Sequence, residues 1–212
     1  NEPNHTCKKQ FVDILINDKH NPLLEEIEKA FSIENVTKEF FENYKELYLE
    51  LKTSLSKVVN NDNNVRLEFE KIIGKDKEAL DKFYMEFSKK LLGQVVFLYF
   101  LQKKGWMGVQ KNSSGRFEDW GTGPKDFMKR LFDKEYGDYK NFFNDILEPL
   151  FYNTLAIKRI DDYSDKFNCK IPFLNGGLFE PLENYDWMNT NIYLDNSIFK
   201  TIFKTFDDFN FT

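Results

Sequence analysis

Leu91-Leu92-Gly93-Gln94-Val95-Val96-Phe97-Leu98-Tyr99-Phe100-Leu101 is apolar almost without interruption, and a helix built from it is apolar nearly all round. Upstream, Leu80, Phe83, Tyr84 and Phe87 recur at intervals of three and four, the spacing of an amphipathic helix. Downstream, Lys103 and Lys104 suit a last turn and Gly105 suits a helix stop. A bilayer span needs about 20 apolar residues. The stretch therefore predicts a buried core helix over about Asp76 to Lys104, and no membrane association. One helix apolar on every side must be wrapped by others.

Candidates for the wrapping lie on both sides. Val36, Phe40, Tyr44, Leu47, Leu51, Leu55 and Val58 mark a long amphipathic helix, and Asn60 to Asn64 reads as a polar loop after it. Asn21-Pro22 opens a shorter helical run, Leu23 to Phe31. Residues 1–21 are polar and read as a leader, or as the tail of a preceding domain. Beyond the central helix, Asn112 to Gly123 reads as a loop. One helix follows from Pro124, with Phe127, Leu131 and Phe132, and another spans about Tyr139 to Ala156, where Pro149 must kink or split it. Asn175-Gly176-Gly177 between hydrophobic residues predicts a turn or short hairpin near 171–180. Asp195 is placed to cap a last helix whose Ile198, Ile202, Phe203 and Phe206 face inward. The expected fold is all-α: an irregular bundle of five or six helices with one turn or hairpin insertion, residues 22–212 forming a single helical domain.

Composition bounds the function. With 212 residues the chain is long enough to bury a core without disulfides or metals. A net charge of −5 argues against a surface that binds nucleic acid or anionic lipid everywhere. Cys7 and Cys169 lack any paired spacing, which fits a reducing, cytoplasmic setting. Phe occurs 23 times but Arg only at four positions, the bias that AT-rich codons produce, so the phenylalanines alone are weak evidence for a binding surface. The chain starts at Asn1 and stops in apolar Phe209-Asn210-Phe211-Thr212, so it reads as a piece of a longer protein.

Catalytic signatures are missing. Gly121-Thr122-Gly123-Pro124 has no strand before it, and no Pro-Pro pair or phosphate-binding Gly-Lys-Ser/Thr occurs. Glu50-Leu51-Lys52, with Asp18 upstream, matches part of a metal-dependent nuclease pattern, but lies within the period of the first long helix and reads as its solvated face. His5, Cys7, His20 and Cys169 have no zinc-module spacing. No catalytic, cofactor-binding or metal-ligating residue is assigned. The basic residues are more suggestive: Lys103 and Lys104 end the apolar helix, and Lys111 and Arg116 follow beside Trp106, Phe117 and Trp120. Cations interleaved with aromatics suit contact with nucleic-acid backbone, which makes Lys103, Lys104, Lys111 and Arg116 the candidate DNA-contact residues. Glu118 and Asp119 in the same loop favour an ordinary solvated face instead.

Four segments, FSIENVTKEFFENYKELY (31–48), FSKKLLGQVVFLYFLQKKGWMG (87–108), FFNDILEPLFYNTL (142–155) and IPFLNGGLFEP (171–181), with the terminal FDDFNFT (206–212), resemble one family. They are similar to the helical region ahead of the methyltransferase core in fused type IIG restriction–modification proteins and related adenine-specific DNA methyltransferases. The resemblance implies a non-catalytic connector that orients the methyltransferase core and contacts the DNA backbone. It also implies a parent protein that uses S-adenosylmethionine, with Mg2+ if a nuclease is fused, and that meets double-stranded DNA through its methyltransferase and recognition domains. The competing expectation is a free-standing helical module that binds a protein partner.

Overall fold

The structure, a computed structural model, describes residues 33–174 and 176–209, with side chains from residue 37 onward. The expected helix Leu23 to Phe31, the polar leader, Asp18 and three of the zinc candidates (His5, Cys7, His20) lie outside the described residues. Within them the chain is an all-α bundle carrying one two-stranded sheet. No described helix is long and apolar enough to cross a membrane.

Helix α1, Ile33–Asn61, buries Leu47, Leu51, Leu55 and Val59 along one stripe. The Asn-rich segment after it is not the expected loop. α1 continues to Asn61, and α2, Asn63–Ile73, starts immediately, because Asp62 breaks the helix and caps the next one. Its carboxylate accepts from the backbone N–H groups of Asn64 (2.8 Å) and Val65 (3.3 Å). A good N-cap contributes typically ~1 kcal/mol, more than the low helix propensity of one asparagine costs. Val65 and Phe69 anchor α2 in the core.

α3, Lys77–Lys104, begins at the Asp76 cap and ends at Gly105 in the left-handed conformation, as its sequence predicts. It is the axis of the bundle, burying Phe83, Phe87, Leu91, Leu92, Val95 and Leu98 against the other elements. Three of its buried polar groups are answered from different directions, while the equally buried Ser88 hydroxyl has no partner among the described residues. The Gln94 amide donates to the carbonyl of Leu178 (2.7 Å). The Tyr99 hydroxyl lies 3.1 Å from an Asp207 carboxylate oxygen and 3.3 Å from the Phe203 carbonyl. The Gln102 side-chain oxygen accepts from the Met128 N–H (2.9 Å). These bonds tie α3 to a 3-10 turn at Gly177–Phe179, to the last helix α5 (Asn196–Asp207), and to the short helix α4 (Phe127–Phe132).

Around Pro149 the helical run changes type rather than ending. Phe143–Leu147 and Pro149–Leu155 are π-helical, joined through Glu148 with helical dihedrals. Pro149 has no N–H to donate and would crowd the previous turn of an α-helix; a wider turn keeps the segment helical. The Ala156 N–H, bonded to the Phe151 carbonyl at 3.1 Å, shows the five-residue reach. The hairpin lies earlier than the expected 171–180 segment: β1 (Tyr163–Ser164) pairs antiparallel with β2 (Cys169–Lys170). The Gly-Gly region keeps its turn, held by Lys90 Nζ donating to the Gly177 carbonyl (3.0 Å). Many phenylalanines are fully buried, among them Phe69, Phe142, Phe143, Phe151, Phe199 and Phe206.

Replacing Gln102 by Leu leaves the buried Met128 N–H without its acceptor and should destabilise the protein by ~1–3 kcal/mol. Urea denaturation should show the lower midpoint, while Gln110→Leu, at an exposed position, should shift stability by no more than ~0.5 kcal/mol.

Candidate nucleic-acid interface

The chain leaving α3 is pinned to the helix end. The N–H groups of Gly121 and Gly123 both donate to the Gly105 carbonyl at 3.0 Å, and Lys125 Nζ donates to the Gly121 carbonyl at 3.1 Å. Glycine is required at 123 because a Cβ there would run into the Met107 carbonyl oxygen. The stretch from Asn112 to Gly123 is thus a built structure. Asn112 organises its tip, its side-chain oxygen accepting from the N–H groups of Ser114 (3.0 Å) and Arg116 (3.1 Å).

From this loop the chain joins the β1–β2 hairpin through isolated antiparallel bridges. The Asn112 N–H donates to the Arg116 carbonyl (2.7 Å) and the Glu118 N–H to the Gln110 carbonyl (3.0 Å), so Lys111 and Phe117 between them form a facing pair. On the other edge Val109 and Lys170 exchange both backbone bonds, at 3.1 and 2.8 Å, and Lys170 in turn faces Tyr163. Residues paired across strands share a face, as do residues two apart along a strand. Lys111, Phe117, Lys170 and Tyr163 therefore project together, around a fully buried Val109.

The side chains bear this out. Lys111 Nζ lies 5.0 Å from the centre of the Phe117 ring and 4.8 Å from that of Tyr163, and the two rings are 5.5 Å apart. Lys170 Nζ lies 4.1 Å above the ring of Trp120, which is 39% exposed. A cation over an exposed aromatic face gains about 0.5–1 kcal/mol, enough to orient the ammonium without neutralising it. Alternation puts Arg116 and Glu118 on the reverse of the ladder and, by the same rule, exposed Asp119 on the side of Phe117 and Lys111. The Cys169 thiol beneath this sheet is pushed up to about 12 by burial and has no thiolate character.

The four basic residues singled out in the sequence are thus not one cluster. Lys111 is central to the face, Arg116 points to its reverse, exposed Lys104 sits at the end of α3 where the loop returns, and Lys103 lies towards Asp207 of α5. Lys170 and Tyr163 complete the face and were not legible as candidates, because they join it by pairing across a long stretch of chain.

Two other titratable clusters are structural. Glu50 lines an open groove between α1 and the start of α5, whereas Lys52 turns to α3 and pairs with Asp81 at 2.8 Å. With Leu51 fully buried between them, the nuclease-like triplet has no common focus. Glu148, at the π-helical junction, is fully buried and accepts from the Tyr185 hydroxyl at 2.6 Å, with the Tyr152 hydroxyl 3.3 Å beyond. Burial pushes its carboxyl up to about 9, and the Asp145 charge adds to this while the Tyr185 bond opposes it. Perturbed acids often mark active sites, but this carboxyl is fully buried at the helix junction, and its second oxygen has no hydrogen-bond partner among the described residues. Among the described residues no group of His, Cys, Asp and Glu could hold a metal ion. No family model, curated protein or solved structure matches this chain.

Glu148 keeps its proton in the fold, whereas the unfolded chain loses it near the usual glutamate value of ~4.3. Its contribution to stability is therefore complete at acid pH and is lost as pH rises from about 4 through about 9. Glu148→Gln, which removes the titration and keeps the shape, should flatten the fall in thermal midpoint across that range. Separately, Gly123→Ala should displace the loop from Gly105, seen as faster amide exchange at Gly121 and residue 123.

Proposed function

We propose that this chain is a non-catalytic helical connector of a restriction–modification enzyme or adenine-specific DNA methyltransferase. In this role it orients the methyltransferase core and contacts DNA backbone. The observation that carries the proposal is the Lys111–Phe117–Tyr163–Lys170 face, two oriented cations on a pinned sheet at the end of the bundle's central helix. It sets two ring-oriented cations together in a chain whose net charge is −5. The resemblance of residues 31–48, 87–108 and 171–181 to the region preceding such methyltransferase cores supplies the setting. In that setting S-adenosylmethionine, and Mg2+ for a fused nuclease, belong to the neighbouring domains, and the compartment is the cytoplasm.

A second reading, a helical module for a protein partner, is favoured by one observation. Ile157 and Ile160, the latter 88% exposed, stand on a loop that Arg159 makes rigid by donating to the carbonyls of Ile157, Tyr163 and Ile171 at 2.9, 3.0 and 2.7 Å. The coding sequence beyond Thr212 separates the two readings. A Gly-rich turn and an Asn-Pro-Pro-Tyr loop support the connector, and an immediate stop codon supports the module.

Duplex binding measured across salt concentrations tests the contact itself. Affinity should fall linearly on a log–log plot, and Lys111→Ala with Lys170→Ala should reduce the slope by about 2, roughly one per lost phosphate contact. Lys129→Ala, whose ammonium is already paired with Asp133, should leave the slope unchanged. Salt-independent binding, or none, contradicts the DNA contact.

A further inference from the structure

Resting on the connector reading, we infer that the Lys111–Lys170 face takes an unpaired DNA strand in preference to a duplex, with phosphates on the two lysines and a base stacked on the adjoining aromatic rings. Each cation on this face sits on a ring: Lys111 on Phe117 and Tyr163, Lys170 on Trp120. A phosphate that reaches either ammonium is thereby brought beside an aromatic surface. In a duplex the bases are stacked on one another, so the rings gain nothing and only the phosphates bind. In a single strand the base next to the phosphate is free to stack, and both contacts form together; such stacking is sequence-tolerant because every base has a π-face.

The spacing also suits a strand. Lys170 faces Val109, and Lys111 is two residues further along, so their Cα atoms are diagonal neighbours about 7–8 Å apart. That is the scale of one step between successive nucleotides in an extended chain. A second indole, Trp106, 45% exposed, lies on the same segment directly after α3. The sheet is held by backbone pairs and by the glycine closure on Gly105, so little ordering is left to the moment of binding.

Fluorescence anisotropy with a labelled oligo-dT and with a duplex of equal length, at the same salt, tests this on the 212-residue chain. The oligo-dT should bind more tightly. Trp120→Ala should weaken it roughly five- to a hundredfold, the effect of losing one stacked base, with duplex affinity changed by less than about threefold. Trp120→Phe should retain most of the single-strand affinity. Should Trp120→Ala fail to fold, as judged by its thermal midpoint, Tyr163→Leu gives the same readout from the other ring. Equal or tighter duplex binding, or a ring variant that weakens both forms alike, overturns the single-strand preference and leaves the backbone contact standing. Absence of binding to either form overturns both.

Discussion

The polar side chains that α3 carries into the core fix where three peripheral segments dock, although Phe97 and Phe100 leave one side of the helix exposed and the buried Ser88 hydroxyl has no partner among the described residues. Along α3 the polar positions Gln94, Tyr99 and Gln102 are answered by the Leu178 carbonyl, by Asp207 with the Phe203 carbonyl, and by the Met128 N–H. Leaving one such group unpaired in a core costs ~1–3 kcal/mol. Each bond thereby helps to specify where one peripheral segment can dock, while the apolar surface of α3 supplies the driving force. The left-handed Gly105 then turns the chain out of the helix, and its carbonyl receives the Gly121 and Gly123 N–H groups. The position of the small sheet follows from that closure.

What could be read in advance follows the range of the interactions responsible. α1, α3 and α5 are periodic, and Asp76, Gly105 and Asp195 punctuate them, so these helices were legible, although Val59 takes the core place expected of Val58 and Phe97 and Phe100 stay exposed. α2 was hidden because propensity argued for a loop across Asn60 to Asn64, and a single capping carboxylate at Asp62 overrides it. The π-helical run defeats a 3.6-residue template, and the presence of Pro149 argued for a break that a wider turn avoids. The proposed contact face was half legible. Asn112-Ser113-Ser114-Gly115 between Lys111 and Phe117 is a turn signal, and reading it as a hairpin would have set Lys111 and Phe117 on one side and Arg116 and Glu118 on the other. Lys170 and Tyr163 carry no local signal, because Lys170 is placed by pairing with Val109 across the intervening helices and Tyr163 by pairing with Lys170.

Aromatic rings orient the Lys111 and Lys170 ammonium groups without cancelling them, in a chain whose net charge is −5. The abundance of phenylalanine divides along similar lines: much of it fills the core, and Phe117 remains at the surface beside Tyr163 and Lys111. Glu148 shows the converse arrangement, a carboxyl made neutral by burial, with one oxygen accepting from Tyr185 and the other without a partner among the described residues.

Hydrogen exchange of the backbone amides, with and without a short DNA, tests the central claim that this sheet is the DNA-contact face. The account predicts added protection confined to residues 106–120 and 163–170, with α1, α2 and the outer face of α5 unchanged. Protection centred on α1 or on the loop carrying Ile157 and Ile160, with none at Lys111 and Lys170, would contradict it.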